Sequence, residues 1–345
     1  MKKRIGIVFG GVSSENDISI KSAKSFINNI DKNKYDVIYI FIDKENKWFK
    51  CESINDNFEV INKTEIENVF GYLKDLDLVV PILHGTNGED GKIQGFFETF
   101  NIPYLGCDVL SSSICMDKEI TKILLKKGNI LQTNYVCIKK NKDDYIYIDD
   151  NLNELTSELT NICNLIESNL KYPLFIKPCN SGSSIGINYA NNSEELRRYI
   201  EEASNYDNKI IVEENINGRE VECGIIGNDE LIVSSVGEIN SSNNFYSYDE
   251  KYVKNNFEIE IPANLDEEII KEIKRIAKKV YKLLGCKVLS RLDFFVENKT
   301  NKIYFNEINT MPGFTEYSMF PKLFENENIK YEELIDKIID LSIKE

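Results

Sequence analysis

Histidine is scarce in this sequence, and positive charge is outnumbered. Lys and Arg number 42 against 57 Asp and Glu, a net charge of −15. That leaves no broad basic surface for a nucleic-acid backbone or an anionic membrane, and any phosphate must be met by local cations. His84 is the one histidine, so a Ser-His-Asp relay would rest wholly on it. The eight cysteines (Cys51, Cys107, Cys115, Cys137, Cys163, Cys179, Cys223 and Cys286) include no CxxC spacing. This argues against a zinc cluster and reads as reduced thiols in a cytosol. No apolar run approaches a membrane span. The run Ile5 to Phe9, behind the basic Met1-Lys2-Lys3-Arg4, stops at Gly10-Gly11, too short for a secretion signal. Internal repeats, low-complexity tracts, GxGxxG and Gly-Lys-Ser/Thr are also missing, which disfavours a dinucleotide fold and a P-loop.

What remains is a globular composition, 42% hydrophobic and 29% charged over 345 residues, enough for about two or three packed subdomains. Strand-like runs at Arg4 to Phe9, Tyr35 to Ile42 and Leu76 to Ile82 alternate with helical patterns such as Ile18 to Ile30. The alternation predicts a parallel, doubly wound sheet ending near Leu105. A helix is expected over Asp117 to Lys127, an exposed turn or linker over Lys139 to Asn153, and a strand over Leu174 to Lys177. A further helix should start near Asn264, with Glu267 as capping-box partner and Gly285 as its stop.

Four stretches can carry chemistry. Lys287 to Glu297 and Ile303 to Asn309 read as a hairpin around Asn298 to Lys302. With a symmetric turn, facing positions sum to about 600, which sets Asp293 opposite Glu307 and Arg291 opposite Asn309 on one face. Facing carboxylates make sense around a hard cation such as Mg²⁺, or as a solvated polar face that Arg291 neutralises. Beyond them, Asn309-Thr310-Met311-Pro312-Gly313-Phe314 is a turn whose N–H groups can face an anion, or an ordinary turn. Lys177 precedes the small-residue loop Asn180-Ser181-Gly182-Ser183-Ser184, which suits polyphosphate or serves as a plain connection. Gly10 to Glu15, between first strand and first helix, offers free N–H groups to an anion or Glu15 to an ammonium; a turn with a capping acid is the alternative. His84 and Glu89 lie in a turn-rich loop at a strand end, where open α/β sheets bind ligands or where loop residues satisfy their own backbone.

Taken in order, these stretches resemble the D-alanine:D-alanine ligase family of the ATP-grasp superfamily over nearly the whole chain. The sharpest pieces are Leu83-His84-Gly85 to Glu89-Asp90-Gly91, Met116-Asp117-Lys118, Lys177 with Gly182-Ser183-Ser184, Arg291-Leu292-Asp293, and Asn306-Glu307-Ile308-Asn309-Thr310-Met311-Pro312-Gly313. The resemblance implies an α/β fold: a parallel-sheet N-terminal domain over 1–106, then two ATP-grasp subdomains over 107–186 and 187–345. It implies ATP contacts from Lys118, Lys177, Ser183, Ser184, Glu213, Ile216, Glu220, Lys251 and Asn306, the two glutamates holding adenine and ribose. Asp293, Glu307 and Asn309 match magnesium ligands; two Mg²⁺ ions are expected, with Mn²⁺ as a substitute and K⁺ as a further cation.

The implied chemistry is phosphorylation of one D-alanine carboxylate by ATP, attack by the amine of a second, and loss of phosphate, in the service of peptidoglycan precursor synthesis. Glu15 would bind the first ammonium with His84 near its carboxylate and Glu89 beside them. Arg291 and the Gly313 N–H would stabilise the oxyanion. Ser183 and Ser318 fit roles around the second substrate, and Lys251 and Tyr252 resemble a closing lid. Two positions bear on selectivity: Asn16 stands where many relatives carry His or Arg, and the apolar Met319 follows Ser318 where D-serine and D-lactate enzymes often carry Arg. This favours D-alanine at the second site, with D-serine or D-lactate as the rival substrate. Another ATP-grasp carboxylate–amine ligase and a non-catalytic nucleotide-binding module are remoter alternatives. Relatives imply a cytoplasmic homodimer without nucleic-acid or membrane partners.

Overall fold

The computed structural model describes residues 2–182, 185–241 and 257–343. Seven strands come first, β1 (Lys3–Gly10), β2 (Tyr35–Ile42), β3 (Trp48–Cys51), the short β4 (Ser53–Ile54), β5 (Val60–Ile61) and β6 (Thr64–Glu65), and β7 (Leu78–Ile82), and five of them form the first sheet. Its order is β6-β3-β2-β1-β7, with β4 and β5 pairing separately. The expected parallel core is present, since β1 pairs in parallel with both β2 and β7, while β3 and β6 add an antiparallel edge. Helices α1 (Asn16–Asn29), α2 (Val69–Lys74) and α3 (Lys92–Thr99) flank it. Gly10 has φ +93, and a Cβ there would sit 2.2 Å from the Ile42 carbonyl, so only glycine can turn the chain out of β1 towards α1.

Helices α4 (Val109–Met116) and α5 (Lys118–Lys127) lead into the second sheet. That sheet contains β8 (Tyr135–Asn141), β9 (Asp144–Ile148), β10 (Glu154–Ser157), β11 (Leu174–Pro178), β12 (Asn188–Ala190) and β13 (Lys209–Glu214), with α6 (Leu159–Asn169) and α7 (Ser193–Ala203) between strands. Two expectations are corrected here. Lys139 to Asn153 holds a hairpin rather than a linker: Asp144-Tyr145-Ile146-Tyr147 pairs with β8, and Tyr145 is buried, so the strand-forming residues among the charges decide the outcome. The expected boundary between 186 and 187 falls inside this sheet, because β12 and β13 return to pair with β11.

The third sheet is antiparallel, β16-β15-β14-β17-β18, made from β14 (Gly218–Ile226), β15 (Ile232–Ser241), β16 (Phe257–Glu260), β17 (Leu289–Glu297) and β18 (Ile303–Asn309). Helix α8 (Glu267–Leu283) covers one face through Ile273, Ala277 and Val280. It begins three residues later than expected and uses no side-chain cap at Asp266, since Ala263 is still hydrogen-bonded to Val236 of the sheet. It ends as expected: Gly285 adopts φ +70, Cys286 N–H donates to Tyr281 and Gly285 N–H to Lys282, the paired bonds of a Schellman stop.

Finally α9 (Met319–Glu325) and α10 (Tyr331–Ile343) return to the start of the chain. Phe314, Phe320, Phe324, Ile335 and Ile339 share one apolar cluster with Phe26, Ile27 and β1, so the C-terminal segment helps build the N-terminal core. No helix among the described residues is long and apolar enough to cross a membrane.

Candidate active site

Alternation along β17 sends Leu292, Phe294 and Val296 to the α8 core, which leaves Arg291 and Asp293 on the opposite face. The expected register holds where it matters, with Arg291 opposite Asn309 and Asp293 opposite Glu307. It then shifts, pairing Phe294 with Phe305. The bulge leaves Asn306 as the extra residue and lets Phe305 and Ile308, three apart, both reach the core. Arg291 binds both oxygens of Asp293, at 2.8 and 2.7 Å, and Glu222 of β14 at 2.8 Å. Burial would lower its pKa, but Asp293, Glu222 and Glu307 raise it well above the ordinary value. Asn309 Nδ2 donates to Asp293 at 3.2 Å.

These residues fit a hard dication by the chemistry of their donors: two carboxylates and an amide oxygen, all from one strand pair.

On the second sheet Leu174 and Ile176 face the helices, and Lys177 and Glu213 point to the other side. Lys177 Nζ lies 2.5 Å from Glu213 Oε2. Burial opposes the charge on Lys177, while Glu213, Glu307 and Glu220 raise its pKa. Because Glu220 and Glu307 belong to the third sheet, the polar faces of the two sheets share one electrostatic space. Lys118, the first residue of α5, donates from Nζ to the Ser181 carbonyl at 2.7 Å. Its helix start is clamped by Lys209, which reaches Asp117 at 2.9 Å and Glu119 at 2.6 Å.

The first domain contributes Glu15, His84 and Glu89. Glu15 precedes α1 but makes no side-chain cap bond, which removes the reading of it as a capping acid. Added Cβ atoms would meet its Oε2 at 2.2 Å from Gly85 and at 3.2 Å from Gly182, so its carboxylate lies between the histidine loop and the small-residue loop. Glu89 accepts from the Gly85 N–H at 2.6 Å. Burial, with Glu15 alongside, pushes its pKa up to about 8, so Glu89 keeps its proton to higher pH than an ordinary glutamate. His84 is buried, lies 3.0 Å from the Ser22 hydroxyl, and is pushed down to about 4 by desolvation. It is therefore neutral.

Not every expected residue faces this space. Met319 is buried in a cluster with Ile239 and Leu323, and a Cβ on Gly237 would touch its sulfur; an unbranched apolar side chain at the start of α9 fills the core instead of lining a substrate pocket. Ser318 Oγ accepts from the Thr315 N–H at 3.0 Å and lies 2.8 Å from Thr315 Oγ1, tying the turn that carries Gly313. Asn16 anchors the Gly11 carbonyl through its amide. Ile216 is half-buried in the link from β13 to β14, and Asn306 is half-buried in the bulge. Ser183, Ser184, Lys251 and Tyr252 lie outside the described residues. Sequence reading missed Glu222, Lys122 and Lys209. For Lys122 a signal was available, since it follows Lys118 by one helical turn and so shares its face.

Comparison with known proteins bears on this arrangement. A family model described as D-ala D-ala ligase N-terminus matches residues 4–107, and one described as D-ala D-ala ligase C-terminus matches 141–340. The D-alanine--D-alanine ligase of Caldicellulosiruptor bescii is 44% identical over 360 residues, covering 99% of this chain and 96% of that protein. D-alanine--D-alanine ligase B of Clostridium tetani is 44% identical over 351 residues, covering 99% and 94%. Among solved structures, the VanG D-Ala:D-Ser ligase from Enterococcus faecalis superposes with TM-score 0.86 at 37% identity, covering 99% of this chain and 100% of that one. The D-alanine--D-alanine ligase from Bacillus anthracis complexed with ATP gives 0.75 at 29%, covering 99% and 98%.

Proposed function

The chain belongs to the D-alanine–D-alanine ligase family and has its ATP-grasp fold, and from that premise we propose that it joins two D-alanines through a D-alanyl phosphate, for peptidoglycan precursor synthesis. The observation that carries the reading is the meeting of the Glu15 carboxylate, the buried Arg291 guanidinium and the lysines Lys118 and Lys177 in one electrostatic space. Glu89 feels Glu15, Arg291 and Glu307, while Lys177 feels Glu307 and Glu220.

Glu15 holds the ammonium of the first D-alanine, and the neutral His84 lies close to its carboxylate. One carboxylate oxygen attacks the γ-phosphorus of ATP, ADP departs, and the acyl phosphate remains. The amine of the second D-alanine then attacks the carbonyl carbon. Arg291 and the Gly313 N–H stabilise the resulting oxyanion, and the C–O bond to phosphate breaks as the peptide bond forms. Lys118 and Lys177 neutralise the phosphates during transfer. Asp293, Glu307 and Asn309 would hold Mg²⁺, whose chemistry is to offset charge on the transferring phosphoryl group. The reading includes two such ions, a homodimer and a cytoplasmic location.

D-Serine at the second site is the other reading, favoured by the likeness to the Enterococcus faecalis D-Ala:D-Ser ligase. The apolar Met319 directly after Ser318, where D-serine and D-lactate enzymes often carry Arg, supports D-alanine instead, since a serine hydroxyl needs a polar partner. Phosphate release from ATP and Mg²⁺ with D-alanine, alone and mixed with D-serine or D-lactate, separates the two when products are identified by mass. D-Alanyl-D-alanine as the main product from mixtures is the expected outcome. A dominant mixed product would transfer the chain to the second reading, and absence of D-alanine-dependent turnover would refute both.

A further inference from the structure

At the end of β13 the Glu213 carboxylate sits between two ammonium groups. Lys122 Nζ is 2.6 Å from Oε1 and Lys177 Nζ is 2.5 Å from Oε2, with the Thr133 hydroxyl donating to Oε1 at 3.1 Å. One carboxylate thus has one cation more than neutrality needs, in a setting where an unmatched buried charge is costly. The two lysines differ in what else they touch. Lys122, on α5, donates to Thr133 Oγ1 at 3.1 Å and lies 5.3 Å from the Tyr135 ring centre; its side chain is 4% exposed. Lys177 is 13% exposed and is surrounded by Glu213, Glu307 and Glu220. Lys122 faces the fold and Lys177 faces the cleft.

We propose that Lys122 is a positioning residue for the nucleotide, a standing counter-ion that keeps Glu213 an anionic acceptor when Lys177 leaves it for a phosphate. The proposal rests on the ligase reading above and adds a residue to it. With Lys177 as sole partner, every engagement of a phosphate would strand Glu213 inside the protein. Glu213 would then hold Lys177 back or take up a proton. Lys122 uncouples the two events. The Oε2 that Lys177 vacates can accept from an exocyclic amino group, which adenine presents, and repels the keto oxygen that guanine presents at the same ring position. Base preference therefore depends on Lys122 through Glu213. The same helix sets Lys118 on the Ser181 carbonyl, so α5 serves both ends of the nucleotide.

The test compares wild type, K122M, K122R, E213Q and K122M/E213Q, each checked for folding by thermal melting. K122M should raise the KM for ATP by ~10²- to 10³-fold, the scale of losing one partner of a buried charge pair, and more than it lowers kcat. The KM for D-alanine should stay put, the preference for ATP over GTP should narrow, and K122R should recover most of the lost affinity. Because Lys122 acts through Glu213, the double variant should bind nucleotide no worse than E213Q. Additive losses in the double variant, or equal rises in both KM values, would overturn the proposal. Calorimetry with a non-hydrolysable ATP analogue and Mg²⁺ reads the same comparison without turnover. A wild type that binds the analogue but never consumes D-alanine would refute the ligase reading while leaving the role of Lys122 measurable. Should K122M not fold, K122Q takes its place in the series.

Discussion

The two ends of the cleft carry opposite surpluses of charge. At the end proposed for the nucleotide, Lys122 and Lys177 flank Glu213 and Lys118 holds the Ser181 carbonyl. At the end proposed for the amino acids, Arg291 stands among Glu222, Asp293 and Glu307, with Glu15 nearby. Each surplus is the complement of what the proposed reaction brings: polyphosphate to one end, an ammonium group and a dication to the other. The fold tolerates these mismatches because every buried member has at least one opposite charge or hydrogen bond. Binding of such partners would balance both surpluses.

That contrast can be broken most severely at Arg291. R291M removes the cation shared by Glu222 and Asp293, and should cost ~10³-fold in kcat/KM through the lost oxyanion contact and ~3 kcal/mol or more in stability through the stranded acids. Turnover and denaturant melts read both. Next in size is a pH effect with opposite signs at His84 and Glu89. The folded pKa of His84, about 4, lies below its ordinary 6.5. Stability should therefore fall as pH drops from 6.5 towards 4, by ~3 kcal/mol, and H84Q should flatten that slope. Glu89 has its folded pKa raised to about 8 from 4.5, so its contribution is fully present below 4.5 and is lost as pH rises through 8. E89Q should remove that alkaline decline, measured as melting temperature against pH.

The ends are separable by a smaller change. In G85A the new Cβ, 2.2 Å from Glu15 Oε2 at a φ of +71, should displace the Glu15 carboxylate, proposed to bind the ammonium, and raise the KM for D-alanine by ~10-fold. Nucleotide affinity, read by calorimetry, should be unmoved. The smallest effect is expected away from both ends. G285A meets no atom within 4 Å but keeps φ +70, so it should cost ~1 kcal/mol in melting experiments and leave kinetics alone.

The strand pair bearing Arg291, Asp293, Glu307 and Asn309 was legible because antiparallel register follows from turn symmetry and alternation. The bulge at Asn306 was not, since it answers to the need of Phe305 and Ile308 to share one core. Glu222 escaped notice because β14 joins β17 only through tertiary pairing, with no local pattern to announce it. Lys139 to Asn153 misled by composition: its charges suggested a linker, while a buried tyrosine and its alternating neighbours made a strand. The boundary expected at 186/187 failed for a similar reason, as β13 belongs by pairing to strands far upstream.

The most direct test of the proposed chemistry follows one oxygen atom. D-Alanine labelled with ¹⁸O in its carboxylate is incubated with the protein, ATP and Mg²⁺, and the released phosphate is analysed by mass. An acyl-phosphate route carries one labelled oxygen from carboxylate to phosphate for each dipeptide formed. Dipeptide accompanied by unlabelled phosphate would contradict the account, because the carboxylate would then never have attacked phosphorus.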